Sequence, residues 1–413
     1  MPSFSDLLKK KTIFRNKDAL LPHFVPEQLL FREDEITRIM TAVLPALQGR
    51  KARNVFIYGS TGTGKTASVR TVMKKLSEEA GMSVSPIYMN CRVYDSRYKV
   101  MQKCISDFRP DFAKTGFSFS VLYERLLDWI EGGDSGSNAR HLIVALDEID
   151  MVKDLDSLVY TLSRANDDLK HGSVSMIGIS NKIDFKNRLG SRSKSSLCEE
   201  EIVFSPYNAH QLRDILKTRA SAAFEEPAIV EDSGLSLAAA IAAAENGDAR
   251  YALSLLLRAS ELAEKRGTKV SDRDVEEARK AADEDKAFEV ISTLPEQQQL
   301  LLLALAGLSM DSHYRKLVEE DGERYYFSGE VYERYASLAR GTGKDPRTAR
   351  WYREYLADLE NLGLIVTLHS GKGVRGQTTL VKLAFEPAKI KKIIEKKLSD
   401  STHEQAQGEQ TKF

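Results

Sequence analysis

Val55-Phe56-Ile57-Tyr58-Gly59-Ser60-Thr61-Gly62-Thr63-Gly64-Lys65-Thr66 decides how this chain is read. An apolar run typical of a buried parallel strand leads into a glycine-rich turn spaced Gly-x-x-x-x-Gly-Lys-Thr, the phosphate-binding P-loop. Gly59, Gly62 and Gly64 permit backbone angles that turn N–H groups toward phosphate oxygens, with Ser60, Thr61 and Thr63 between them. A helix starting near Lys65 aims its N-terminus at the same anion. Lys65 supplies a point charge for the β/γ-phosphates and the Thr66 hydroxyl a ligand for Mg²⁺.

Working outward, His141-Leu142-Ile143-Val144-Ala145-Leu146-Asp147-Glu148 is a second buried strand, ending in acids. Open α/β sheets bind ligands at the carboxyl ends of their strands. Asp147 is placed to hold Mg²⁺ and Glu148 to polarise an attacking water. A third buried strand, 173–181, ends in Asn181, a candidate to orient that water. Val84 to Asn90 reads as a further strand. Helices are expected from 31 to 48, 66 to 80, 98 to 108, 120 to 131 and 155 to 168. Strands alternating with helices give a doubly wound parallel sheet, and Ser205-Pro206 closes it. Val25, Pro26 and Phe31, just before the P-loop strand, are candidates for the wall beside the base.

Beyond residue 207 the chain reads as all-helical. Gly247-Asp248-Ala249-Arg250 punctuates it. Asp248 can cap a helix, which leaves Arg250 in the first turn, where a cation opposes the helix dipole. Reaching back to the nucleotide phosphates would account for it. From about 288 the pattern becomes three helices and a hairpin of strands 364–368 and 379–383, a winged helix. Asp345-Pro346 is expected to start the third helix, with Trp351, Tyr355, Leu359 and Leu362 facing the core. Lys344, Arg347, Thr348, Arg350 and Arg353 cluster at its start and outer side, and Lys372 and Arg375 sit in the wing. A recognition helix puts its N-terminal residues against base edges in the major groove. A winged helix can also serve protein contacts; basic residues at both helix start and wing tip favour DNA. We therefore divide the chain into an arm (1–22), a nucleotide-binding domain (23–206), a helical lid (207–287), a winged helix (288–395) and a tail (396–413).

The 413 residues carry 60 basic and 60 acidic side chains, but unevenly. Residues 225–289 hold 16 acids and 9 bases, whereas residues 340–397 hold 13 bases and 6 acids. The basic C-terminal part suits an anionic partner. Cys91, Cys104 and Cys198 have no metal or disulfide spacing, as in a reducing compartment. No apolar run reaches membrane-spanning length and Met1-Pro2-Ser3-Phe4 does not open like a signal peptide. A cytoplasmic, nucleoid-associated protein without a membrane partner is expected.

Together these motifs resemble the AAA+ ATPases, and within them the archaeal Orc-type replication initiators. Leu21-Pro22-His23-Phe24-Val25-Pro26 with Phe31-Arg32-Glu33 looks like the family's N-terminal signature beside adenine. The P-loop and Asp147-Glu148 correspond to Walker A and Walker B, Asn181 to sensor 1 and Arg250 to sensor 2. Residues 195–207, ending in Tyr207, are similar to the stretch leading into the lid, which places Tyr207 among the nucleotide-binding residues. Arg192 matches the arginine-finger position, although Gly190-Ser191-Arg192-Ser193 replaces the usual Asp-Pro-Arg-Val, and Arg188 is a second candidate. The resemblance implies ATP or ADP with Mg²⁺, slow hydrolysis used as a switch, binding to duplex DNA at replication origins, recruitment of the replicative helicase, and contact with other initiator copies or paralogues. A DNA motor or clamp-type AAA+ enzyme, or an ATP-regulated transcription factor, are the competing readings.

Overall fold

The computed structural model describes residues 12–81, 83–110, 116–133, 139–196, 199–311, 317–320, 323–369, 379–395 and 397. They form two compact units, one ending at Ala278 and one starting at Arg279.

The first unit is built on five strands: β1 (Asn54–Tyr58), β2 (Val84–Asn90), β3 (His141–Asp147), β4 (Ser173–Ser180) and β5 (Glu199–Val203). They pair in the order β2-β3-β4-β1-β5, all parallel. Five helices cover the sheet: α1 (Glu33–Leu47), α2 (Lys65–Glu79), α3 (Arg97–Ser106), α4 (Phe119–Ile130) and α5 (Leu155–Asp168). Side chains alternate across a strand, so a sheet covered on both faces needs apolar residues throughout. Phe56, Tyr58, Val144 and Leu146 enter a core with α3, α4 and α5. Their neighbours Val55, Ile57, Ile143 and Ala145 enter a second core with α1 and α2. The edge strand β5 begins with Glu199-Glu200-Glu201, charges of the kind that an exposed sheet edge tolerates. A short helix, α6 (Ser191–Ser196), precedes it.

The lid comprises α7 (Ala209–Ala223), α8 (Asp232–Ala244), α9 (Ala249–Arg266) and the start of α10 (Asp272–Thr293). Asn208 and Gln211 form a capping box at the start of α7. Within the expected arm, the described residues 12–22 pack on this domain. Phe14, Ala19 and Leu20 are buried in the lid core. Phe14 stacks on Phe224 with ring centroids 5.2 Å apart, and the Arg15 amide donates to the Ala223 carbonyl at 2.8 Å. No glycine or proline interrupts α10 before Thr293, so the boundary drawn at 287/288 falls inside it.

The second unit contains the rest of α10, α11 (Glu296–Met310), α12 (Ser328–Gly341) and α13 (Ala349–Asn361). Its antiparallel sheet has the order β6-β7-β9-β8, with β6 (Leu317–Glu320), β7 (Glu323–Phe327), β8 (Ile365–His369) and β9 (Thr379–Leu383). The β6–β7 hairpin adds to the expected pair. Two features of α13 correct the sequence reading. It starts at Ala349 rather than at Pro346, because two tyrosines of α12 hold residue 347 outside the helix. The Arg347 amide donates to the Tyr335 hydroxyl at 3.0 Å, and the Tyr332 hydroxyl donates to the Arg347 carbonyl at 2.9 Å. Its buried stripe is Tyr352, Leu356 and Leu359, whereas Trp351 and Leu362 are exposed.

Among the described residues no helix is long and apolar enough to cross a membrane. If the N-terminal segment is a structural part of the lid, Phe14→Ala should destabilise the protein by roughly 3 kcal/mol. Thermal unfolding tests this, and an unchanged midpoint would assign the segment to the surface.

Candidate nucleotide-binding and DNA-binding sites

The P-loop leaves β1 at Tyr58 and enters α2 at Lys65. Gly59, Gly62 and Gly64 all have positive φ, at 152°, 69° and 92°. The loop borders a cleft of about 390 Å³ between the carboxyl edge of the sheet and the lid. Val25 and Pro26 line it, together with His23 and Phe24 on one side and Ile215, Arg219 and Leu253 of the lid on the other. Phe31 lies outside the lining. Its φ is 61° and its ring packs on the lid core, while Leu29 and Leu30 take the wall position. Tyr207 lines the cleft.

Lys65, Thr66, Asp147, Glu148, Asn181 and Arg250 share a smaller recess with the loop itself. The Lys65 ammonium is buried and donates to the carbonyls of Gly59 and Ser60 at 2.8 and 2.7 Å. Burial, with the Arg250 guanidinium nearby, pulls its pKa down to about 8. Asp147 is the hub on the sheet side. One of its oxygens accepts from the Thr66 hydroxyl at 2.9 Å and the Tyr88 hydroxyl at 2.5 Å. The other accepts the Glu148 amide at 3.0 Å. Burial and the Asp147 carboxylate push the Tyr88 phenol upward, so it remains a donor. Glu148 follows the strand with φ 54°, in the left-handed region, and its carboxylate pairs with Arg92. Cys91 is buried and its thiol is pushed up to about 12 by that burial, which leaves it a packing residue.

The lid touches the loop directly. Asp248 caps α9, accepting the amides of Arg250 and Tyr251 at 2.7 and 3.3 Å. Its second oxygen accepts the Thr61 hydroxyl at 3.2 Å, and the Ala249 amide donates to the Gly62 carbonyl at 3.2 Å. Arg250 is thereby set in the first turn of α9, lining the recess.

Two arginines escaped the sequence reading in these roles. Arg32 is buried between sheet and lid linker. Its guanidinium donates to the Thr63 carbonyl at 2.9 Å, the Tyr207 hydroxyl at 3.1 Å and the Ser205 carbonyl at 2.5 Å, and pairs with Glu35 at 2.7 Å. It also lies over the Tyr207 ring, 4.1 Å from the centroid. Arg219 donates to the carbonyls of Ala19, Leu21 (3.0 Å) and Phe24 (3.2 Å), fixing the segment that leads to the cleft wall. For Arg32 the signal is its place in the Phe31-Arg32-Glu33 signature, which says nothing of its bonds, and for Arg219 a basic residue amid small and apolar ones. Of the arginine-finger candidates, Arg192 is exposed on α6. Arg188 gives its guanidinium to the carbonyls of Asp150 and Val152 of its own domain.

On the winged helix, Arg347, Thr348, Arg350 and Arg353 are exposed. Lys344 pairs with Glu296, and Arg350 lies 3.7 Å from Glu354. Lys372 and Arg375 lie outside the described residues.

Residues 28–171 match the AAA ATPase domain, 213–280 the Cdc6 AAA+ ATPase-type lid domain and 289–393 the CDC6 C-terminal winged helix domain. The chain is 38% identical over 400 residues to the ORC1-type DNA replication protein of Pyrococcus horikoshii, spanning 94% of this chain and 92% of that one. It is 39% identical over 393 residues to the ORC1-type DNA replication protein 1 of Sulfurisphaera tokodaii, spanning 94% and 95%. The chain belongs to the ORC1-type DNA replication proteins. Accordingly, the solved structure of the Aeropyrum pernix ORC1 protein in complex with DNA superimposes with a TM-score of 0.66 at 37% identity, covering 94% of this ORC1-type chain and 97% of that one. Family membership selects the replication-initiator reading over the motor, clamp and transcription-factor alternatives.

The depressed Lys65 pKa gives a pH signature. A triphosphate favours the ammonium form, so its binding should take up a proton where the free amine is partly neutral, above about pH 8. Nucleotide affinity should fall as pH rises past that value, with proton uptake visible by calorimetry in buffers of different ionisation heat. Lys65→Arg keeps its charge and should flatten the profile; an equally steep profile in that variant would rule Lys65 out as the cause.

Proposed function

We propose that this protein is an ATP-regulated initiator that binds duplex DNA at replication origins and helps recruit the replicative helicase, with slow hydrolysis as a switch. The observation that carries this is the convergence of Lys65, Thr66, Asp147, Glu148, Asn181 and Arg250 on one recess that the lid closes through Asp248. The residues fit a magnesium nucleotide. Gly59, Gly62 and Gly64 have the backbone angles of a phosphate cradle, and the Thr66 and Asp147 oxygens lie within hydrogen-bond distance of each other.

In this reading the loop amides and Lys65 bind the β/γ-phosphates, and Thr66 and Asp147 hold Mg²⁺, which neutralises phosphate charge. Glu148 accepts the proton of the attacking water, Asn181 orients that water, and Arg250 steadies the γ-phosphate from the lid. Val25, Pro26 and Tyr207 enclose the nucleoside end. Arg192 holds the arginine-finger position in this reading, without the rigid Asp-Pro-Arg-Val setting. Lys344, Arg347, Thr348, Arg350 and Arg353 meet the major groove, with Lys372 and Arg375 on the wing against phosphate or the minor groove.

The Arg92–Glu148 pair makes the base unavailable while it lasts. Arg92→Ala should therefore raise phosphate release several-fold with nucleotide affinity unchanged; slower release would show that Arg92 assists catalysis. Genome-wide footprinting with turnover measured on and off DNA tests the whole reading. Enrichment at replication start sites with slow turnover supports it, and rapid DNA-stimulated turnover without site preference overturns it.

A further inference from the structure

We infer that Trp351 is a DNA-contacting residue of the winged helix, laying its indole on the apolar edge or sugar face of a duplex; the inference rests on the DNA-binding reading above. Trp351 is 52% exposed, whereas the core stripe of α13 passes through Tyr352, Leu356 and Leu359. A tryptophan left in water forfeits a large apolar area, and the fold takes nothing from it in return. Four residues before it, just outside the helix, stands Arg347, and Arg350 is its immediate neighbour; both are exposed. Among the described residues, Arg347 and Arg353 have no side-chain partner. The nearest ring, Tyr355, is tilted with its centroid 6.4 Å away, too open to shield the indole.

The surroundings are built rather than loose. Tyr332 and Tyr335 grip both peptide groups of Arg347, as described above, and Tyr335 is fully buried. Arg347 is therefore presented from a fixed backbone just ahead of the helix, and Trp351 from the first turn of α13. The charge along the helix also selects a partner. Arg347, Arg350 and Arg353 lie in or just before the first turns, while Glu354, Asp358 and Glu360 follow. Only the N-terminal end of α13 is thus complementary to a polyanion, and that is the end a recognition helix inserts. An exposed indole among arginines matches duplex DNA, whose major groove offers thymine methyl groups and whose sugars offer apolar faces. An apolar protein partner would not need the arginines.

The chain has two tryptophans, and Trp129 is stacked on Phe108 at 3.6 Å. In Trp129→Phe protein the remaining emission reports Trp351 alone. Titration with a mixed-sequence duplex oligonucleotide should quench or shift that emission. Trp351→Ala should weaken duplex binding roughly tenfold, the scale of covering part of one large apolar side chain. The dependence of affinity on salt should stay unchanged in that variant, whereas Arg347→Ala should lower the salt slope by about one. Trp351→Phe should recover most of the loss. Silent emission with full affinity in Trp351→Ala, while Arg347→Ala binds weakly, overturns the inference and leaves the DNA reading standing. Normal DNA affinity with an altered oligomeric state in Trp351→Ala also overturns it and makes the indole a contact between copies. No duplex binding by the unmodified protein overturns both.

Discussion

The P-loop glycines are constrained twice, and the nucleotide domain depends on both constraints. Their positive φ angles suit the phosphate cradle. Their missing side chains also leave room for other parts of the chain. A Cβ on Gly59 would stand 2.4 Å from the Phe204 carbonyl oxygen, one on Gly62 1.7 Å from an Asp248 carboxylate oxygen, and one on Gly64 2.8 Å from the Tyr207 hydroxyl. The end of the sheet, the first cap of α9 and the linker between them therefore all close on one loop. A side chain at any of these glycines would therefore collide with the sheet end, the lid or the linker.

Two buried guanidiniums hold the parts in that relation. Burying a charge is costly unless every donor finds an acceptor. Arg32 meets that demand with backbone carbonyls from the P-loop and the linker, a phenol and Glu35. Arg219 meets it with three carbonyls of the N-terminal segment, and burial lowers its pKa only to about 10. Arginine suits both places because its planar fork reaches several carbonyls at once, as a lysine could not.

Much of this was legible in the sequence, for reasons that also explain the rest. β1, β3 and β4 are long apolar runs because both sheet faces are covered, and the acids and the amide at their ends mark the ligand edge. Asp248 was readable as a cap and Arg250 as a misfit with the helix dipole. The misreadings share a cause. In α13 two stripes compete: Trp351-Tyr355-Leu359-Leu362 and Tyr352-Leu356-Leu359 both have helical spacing, and only tertiary packing chooses between them. The start of the same helix is set by hydroxyls of Tyr332 and Tyr335, more than ten residues earlier. β6 and β7 are charged, two-sided segments that lack the apolar signal of the central sheet. Arg32 and Arg219 owe their roles to acceptors far away in the chain, which no local pattern reveals.

Several groups around the recess are already bonded within the protein: Lys65 to its own loop, Thr66 to Asp147, Glu148 to Arg92 and Asp248 to Thr61. Each such bond is worth about 1 kcal/mol net, so exchanging one for a phosphate contact is easy, whereas exchanging all of them requires a ligand that engages both sheet and lid. A diphosphate and a triphosphate differ in how many they can replace. The Lys65 and Asp248 bonds belong to the loop and lid. Those of Thr66 and Glu148 lie at the carboxyl edge of the sheet, where the γ-phosphate and its water are expected. The contacts that a bound nucleotide would replace are therefore divided between the loop and lid on one side and the sheet edge on the other.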